Sequence, residues 1–477
     1  MKIEILTKEQ IVKIHQASLA ILEKIGVIIP HDEILQRFIS SGATVDQKKC
    51  LVRIPPQLVM ELLSKAGKLF TIFGRDLNKE AEFGLSKRNY NTSGGQALWL
   101  EKIGGKRRYA NLNDVITAAR FADALDQITI SGAMADPHEL PVEWRCVKVA
   151  CEMIKNTTKP ITFWFYDRAS TKYLVDLIIS LRGDEKKAQD YPIFYPLFEP
   201  VSPLSFPNKG IDLLFETAKL NMPVQIGPMA QMGMTAPVTL AGTMAQENAE
   251  ILAGICITQL VREGIPICYG GICHAFDMKT MQIIFSGPEQ AIFNVAMSQM
   301  GKYYGFPVYV NAGLTDSKSI DAQAGFECGI TLALGAAAGA DIFGHMGICG
   351  ADQAASLDIL IMQSEIISYI ESTNREIKIE DDDIALHIIE QAGPKGTFIN
   401  KKHTFTHFKN ELWFPNLLDR DSYESWIKKG STTMETRCRK RKEEIQLTTC
   451  PEPLEKDISS DLEEIVEKAK RKLSSST

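Results

Sequence analysis

The chain has 477 residues, is 45 % hydrophobic and carries a formal net charge of −6. Such a chain buries a large core and exceeds one average domain of about 150 residues, although barrel folds run to about 250 or more as one unit. No basic face dominates, so nucleic acid is not expected as a partner.

Residues 1–8 are short and mixed and lead into a helix, so no secretory signal is expected. No uncharged apolar run reaches the roughly 18 residues of a membrane span. The longest, 329–346, is broken by Asp341 and His345 and reads as a buried helix followed by a strand. Ten cysteines, none in a CxxC pair, fit reduced thiols in a cytoplasmic protein.

Residues 1–85 read as a helical extension. Thr7 and Gln10 make a capping-box pattern, after which Ile11, Ile14, Leu19, Leu22 and Ile25 recur at helical spacing. Further helices are predicted over 31–40 and 55–66, and a small β element over 70–83. The glycines and charges of 102–108 mark a hairpin turn.

From 86 to 375, apolar β-like runs alternate with helical segments. Strands are predicted near 89–93, 128–134, 161–166, 193–198, 224–228, 267–271, 308–312 and 342–345. Helices are predicted over 112–124, 142–156, 170–181, 209–220, 240–261, 288–304, 321–338 and 356–372. Pro160, Pro192, Pro223, Pro266 and Pro307 each stand directly before a strand, where proline is tolerated. Strict alternation of eight strands and eight helices predicts an α/β fold, a (β/α)8 TIM barrel, rather than an open doubly wound sheet. Residues 376–477 read as a polar, helical extension packed on the barrel. In it, the charge run 437–444 reads as a solvated helix, 461–473 as an amphipathic one, and 474–477 as a loose end.

Barrel active sites lie at the carboxyl ends of the strands. There, aromatic residues crowd the third and fourth strands: Phe163, Trp164, Phe165 and Tyr166, then Tyr195 and Phe198, followed by Glu199. Strict alternation would let only one of the pairs Trp164/Tyr166 and Phe163/Phe165 face the site. Ring faces suit a cation that has no N–H to donate, at roughly 0.5–2 kcal/mol per ring. Gly94, Gly95, Gly270, Gly271, Gly313 and Gly344 clear side chains from the mouth, which would suit a flat cofactor presented by another protein. No GxSxG, HExxH, P-loop or paired-carboxylate motif is visible, so no catalytic side chain is assigned, in keeping with chemistry carried by a cofactor.

The segments APVTLAGT from Ala236, NAEILAG from Asn248, and LTDSK from Leu314 with DAQAG from Asp321 closely resemble the trimethylamine methyltransferase family. The likeness covers roughly residues 10–430. It implies a (β/α)8 barrel that passes a methyl group to the Co(I) of a corrinoid (cobalamin) held by a cognate corrinoid protein. It also implies a homo-oligomer without a tightly bound metal. The archaeal trimethylamine enzymes carry pyrrolysine, which this sequence lacks, so it resembles the branch that demethylates quaternary amines. The segment GHMGICGAD from Gly344 looks most like the glycine betaine members.

On that footing Trp164, Tyr166, Phe163 and Phe198 are candidates to surround a trimethylammonium group, with Glu199 offsetting its charge. His345, His274 and Lys318 are candidates to meet a substrate carboxylate. Three alternatives remain at this stage. They are the same chemistry on proline betaine, carnitine or another methylamine, a non-catalytic betaine-binding barrel, and a zinc-dependent methyltransferase using Cys273, His274 and Cys349.

Overall fold

The structure, a computed structural model, describes residues 2–85 and 87–474. Of the expected loose end, 475–477 lie outside the described residues. Eight parallel strands follow one another through the middle of the chain: β1 (Asn89–Thr92), β2 (Ser131–Gly132), β3 (Ile161–Thr162), β4 (Leu197–Phe198), β5 (Val224–Ile226), β6 (Ile267–Gly271), β7 (Val308–Asn311) and β8 (Ile342–Met346). Six of them form one curled half-barrel sheet in the order β4-β5-β6-β7-β8-β1. β2 and β3 form a separate parallel pair. Single parallel bridges flank that pair, Asn91 to Ile130 on one side and Ile161 to Phe194 on the other.

β1, β6 and β7 are buried along their whole length, the pattern of a parallel sheet covered on both faces. The covering helices fall where apolar periodicity placed them. Leu112–Ala124, Val142–Asn156, Leu240–Val261 and Pro288–Tyr304 keep their predicted bounds. The others shift by a residue or two, apart from the helix expected over 209–220, whose last turn is 3-10.

Runs expected to be strands over 128–134, 161–166 and 193–198 pair regularly over only two residues each. Near β4 the cause is Pro196, which has no N–H to give a ladder. At β3 the chain leaves the sheet after Thr162. Pattern reading also missed a sheet at the mouth, in which Gln231–Met232 pairs with His274–Asp277, itself paired with Gln282–Ile284.

The N-terminal segment is part of the main core, not an appendage. Its capping box at Thr7 is present, and helix Lys8–Ala20 packs on Leu240–Val261. Asn248 knits the two together. It donates to Ser18 Oγ at 2.8 Å and to Tyr304 OH at 3.0 Å, and accepts from Tyr269 OH at 2.8 Å. At the other end, helix Met434–Thr448 packs on Leu357–Thr373 and holds the charge run, with Lys442 paired to buried Asp358 at 2.9 Å. Helix Lys456–Leu473 buries Leu462, Val466 and Ala469 against Val142–Asn156 and Arg168–Arg182. Between these lies an arm of four short helices, Asp381–Ile384, Leu386–Ala392, Lys402–Glu411 and Tyr423–Lys428, without a buried residue in any of them.

One buried carboxyl ties the mouth to its scaffold. Glu247, fully buried in helix Leu240–Val261, accepts from the backbone N–H of Ala230 beyond β5 and of Ile272 beyond β6, each at 3.0 Å. Glu247→Ala orphans two buried donors, at about 1–3 kcal/mol each, so urea unfolding should show a loss of about 2–6 kcal/mol.

Candidate active site

The cleft opens where β3, β4 and β5 end. It measures about 520 Å³, a size common for small-molecule sites, and Phe163, Trp164, Phe165, Tyr166, Glu199 and Met229 are among its lining residues. All four consecutive rings line it. The expectation that alternation would admit only one pair is therefore corrected: alternation ends with the ladder at Thr162.

Each ring is held differently. Trp164 donates its Nε1–H to Gly95 O at 2.8 Å, and its ring centroid lies 5.9 Å from that of His345. Tyr166 donates to Asp136 Oδ1 at 2.6 Å, while Arg145 holds the other Asp136 oxygen at 2.9 Å. Burial, with the Asp136 carboxylate beside it, pushes the Tyr166 phenol well above its usual range. Phe163 and Phe165 pack edge-to-face at 4.8 Å, and Phe165 meets Phe194 in the same way at 4.9 Å. Phe198 is a correction. It is buried against Phe206, with ring centroids 5.4 Å apart, and is not among the lining residues.

Glu199 reaches solvent at the cleft wall but is hemmed in by protein. That desolvation, with the charge of Asp352 second, pushes its carboxyl up to about 7. Asp352, in the loop after β8, is raised to about 6 for the same first reason, moderated by a hydrogen bond with Gln96. Asp352 was not among the residues singled out from sequence. It stands in a run of left-handed residues, with φ of 64° at Gly350, 54° at Ala351 and 63° at Asp352, that pattern reading does not reveal.

The two histidines are not cations at neutral pH. His274 is fully buried, with Nδ1 on Ile284 O at 3.2 Å and Nε2 on Asn311 Nδ2 at 3.0 Å, and burial lowers it to about 3. Both its nitrogens are engaged, which corrects its expected part in carboxylate binding. His345 follows Gly344 through a cis peptide, and burial lowers it to about 4. Among the described residues its Nδ1 finds no partner, and neither do Tyr309 OH, Asn91 Oδ1, Asn311 Oδ1 or Ser131 Oγ. Lys318 is also corrected. It is exposed, donates to Asp316 O at 2.7 Å, and lines a separate recess with Arg107 and Gln353.

The glycines pack rather than clear space. A Cβ on Gly94 or Gly95 would lie 3.1 or 3.0 Å from the Trp164 ring, and the φ of +153° at Gly95 itself favours glycine. Gly270 abuts the β5 backbone, Gly271 abuts Met297, Gly313 abuts Met346 and Leu332, and Gly344 lies against Tyr309 OH and Asn91 Oδ1. Of the six, Gly95 is partly exposed and the other five are buried. Among the described residues no three His, Cys, Asp or Glu side chains group to hold a metal ion, which leaves the zinc alternative without a ligand set.

Fold and cleft together define an α/β protein whose ring-lined site sits at the carboxyl ends of a curled parallel sheet, where enzymes of barrel architecture place their chemistry. Comparison with known proteins narrows the class. The chain belongs to the trimethylamine methyltransferase (MTTB) family, whose model matches residues 1–474, and is a methyltransferase of that family. It is 30 % identical to the glycine betaine methyltransferase of Desulfitobacterium hafniense strain Y51, over 98 % of this chain and 97 % of that one. It is 29 % identical to a trimethylamine methyltransferase of D. hafniense strain DSM 10664 / DCB-2 (96 % and 92 % covered). It is 28 % identical to that of Methanosarcina barkeri strain Fusaro (98 % and 96 %). The crystal structure of the M. barkeri monomethylamine methyltransferase is similar at a TM-score of 0.49 and 8 % identity, over 98 % of this chain and 92 % of that one.

Gly94→Ala should displace the Trp164 indole and lower kcat/KM by about tenfold, since sub-ångström misplacement at a site is expensive. The control is Gly325→Ala in helix Ala322–Ala338, whose Cβ meets nothing within 4 Å. It should leave kcat/KM unchanged and raise stability by about 0.5–1 kcal/mol in thermal unfolding.

Proposed function

We propose that this protein transfers a methyl group from a quaternary amine, with glycine betaine the best candidate, to the Co(I) of a corrinoid carried by a partner protein. The observation that carries the reading is the wall of four consecutive rings, Phe163 to Tyr166, beside the Glu199 carboxyl in one cleft. Ring faces and a carboxylate recognise a cation that offers no hydrogen bond. The similarity to a glycine betaine methyltransferase supports the choice of donor.

When bound, the reduced corrinoid supplies the nucleophile. The protein's residues position the donor and exclude water, and no side chain need move a proton, because the amine leaves neutral. The cleft rim suits a group presented from outside. In the segments that follow β5 and β6, Met234, Val238, Met278 and Met281 are exposed apolar side chains, and Met278 and Val238 meet around Gly233. Methionine-rich surface adapts to a docking partner.

The eight strands are read as one closed (β/α)8 barrel, a reading supported by the two single bridges beside the β2-β3 pair. Residues 1–85 and 376–477 then act as supports around it. No helix among the described residues is long and apolar enough to cross a membrane, and all ten cysteines are free. These features support a reducing, cytoplasmic setting. The exposed arm, with Ile377, Ile399 and Phe405 each more than 75 % accessible, supports self-association. Light scattering on the eluting protein should give a mass above the 53.1 kDa of one chain.

The direct test offers glycine betaine and trimethylamine separately to the purified protein with cob(I)alamin under anaerobic conditions. Glycine betaine alone should consume cob(I)alamin absorbance and yield dimethylglycine in equal amount. Turnover of trimethylamine instead would overturn the choice of donor class, and inertness toward both, and toward proline betaine and carnitine, would overturn the enzymatic reading.

A further inference from the structure

The chain roofs the helices around its sheet with its own extensions, except on one flank. Leu240–Val261 is covered by Lys8–Ala20, Asp32–Ser40 and Pro56–Lys65, Leu357–Thr373 by Met434–Thr448, and Val142–Asn156 and Arg168–Arg182 by Lys456–Leu473. Helix Ala322–Ala338 packs on Pro288–Tyr304 and Leu357–Thr373 and has no such roof among the described residues. Its only charged residue is Glu327, and its exposed residues are Ala322, Gln323, Phe326 and Ile330. A helix that is apolar on every side is ordinarily a buried one. Between it and Pro288–Tyr304 runs a groove of about 360 Å³, with Ile5, Ile292, Val295, Phe326, Ile330 and Leu334 in its lining. Glu327 is the one charged side chain among the described residues that line it. Phe326 is 67 % exposed there.

The same chain carries a second apolar surface that nothing covers. The four helices of the arm have 4, 7, 10 and 6 residues, and none of them buries a residue. Each is shorter than the roughly 12–15 residues at which an isolated helix becomes even marginally stable in water, so each needs a surface to pack on. Ile399 is 86 % and Phe405 78 % exposed. The arm is rooted beside the open flank. Arg375 donates to Asn410 O at 3.3 Å, and Trp413 donates its Nε1–H to Ser368 Oγ at 3.0 Å on Leu357–Thr373, the helix next to Ala322–Ala338. No arm residue lines its own chain's groove. The charges match as well. Residues 393–410 hold Lys395, Lys401, Lys402 and Lys409 and no acid, whereas the helix starts that border the groove carry Glu289, Asp321 and Glu327.

We propose that the arm of one copy lies in the groove of a second copy, with Ile399 and Phe405 set against Phe326 and the lysines of 393–410 beside Glu289 and Asp321. This rests on the self-association reading and names the two surfaces that meet. One occupant answers both needs. A second copy brings an arm to each open groove and a groove to each uncovered arm, so neither apolar surface is left in water. Reciprocal exchange of this kind closes on itself about a two-fold axis. An interface of standard size takes about 20–30 residues a side, and an arm whose helices span 381–428 can supply them.

The test uses the full chain. With p-benzoylphenylalanine in place of Phe326, light and heavy-isotope preparations are mixed, allowed to exchange subunits and irradiated, and the joined peptides are read by mass spectrometry. Position 326 should be joined to peptides from 393–410, with light and heavy chains linked to each other. Phe326→Lys and, separately, Phe405→Lys should each raise the dissociation constant of the assembly at least about tenfold in sedimentation equilibrium. Both side chains are exposed in the single chain, so neither change touches its core. No join to 393–410 of another copy, or an assembly that either lysine variant leaves as tight as wild type, would overturn the proposal and leave self-association standing. A wild-type protein that sediments as one 53.1 kDa chain at every concentration would defeat self-association itself, and this inference with it.

Discussion

The site depends on where one strand stops. β3 pairs with β2 for two residues only, Ile161 and Thr162, and then parts from the sheet. A strand that stayed in its ladder would alternate its side chains, and two of the next four rings would be lost between sheet and helices. Released from the ladder, Phe163, Trp164, Phe165 and Tyr166 all reach the same cleft. A released segment must also satisfy its polar groups by other means. The Trp164 Nε1–H finds Gly95 O, the Tyr166 hydroxyl finds Asp136, and Asp136 is fixed in turn by Arg145. The glycine pair at 94–95 is thus explained by the indole that lies on it rather than by an open mouth.

Around this wall, buried carboxyls act as backbone anchors. Glu247 holds the segments after β5 and β6, and Glu250 accepts from Ser202 Oγ at 2.6 Å and from Leu204 N at 2.8 Å, steadying the loop that follows Glu199. Asp341 takes the N–H groups of Gly84 and Val308, tying the N-terminal hairpin to the sheet. Glu365 takes those of Leu417 and Leu418, tying down the chain after the exposed arm. Such groups are costly to bury unless hydrogen-bonded, and here each one is. The anchors share a logic: the helix or strand that bears the acid is rigid, and the loop that receives it would otherwise wander. Of the segments through which the chain resembles its family, 248–254 carries one of these anchors, Glu250.

Much of the fold was legible because helices announce themselves by apolar period and by caps. Leu112–Ala124 begins at the capping box of Asn111 and Asp114, and Pro288–Tyr304 begins on proline and ends at Gly305, all local signals. Strand position was legible too, but strand length was not. The run 161–166 is uniformly β-prone, and only tertiary context ends its ladder after two residues. The same blindness touched the site. The rings and Glu199 were visible as composition near strand ends. Phe198 was misplaced because alternation in a two-residue strand says nothing reliable about which face is the cleft. His274 and Lys318 were misassigned because sequence shows a cation and not its partners. Asp352 went unnoticed because its place at the mouth is set by three successive left-handed residues, a loop geometry that composition does not encode.

The chemistry proposed for this chain asks little of its side chains. A tertiary amine that gave up a methyl group unassisted would have to leave as an amide anion, so an enzyme acting on it must first supply activation. A quaternary amine leaves as a neutral molecule, so charge recognition and alignment are enough. His274 and His345 are both held neutral by burial, the thiols of Cys273 and Cys328 are pushed far from ionisation, and the Tyr166 phenol is locked as a donor to Asp136. None of these groups is poised near neutrality to pass a proton. The exceptions are Glu199 and Asp352, and neither has a hydrogen-bonded nucleophile to serve.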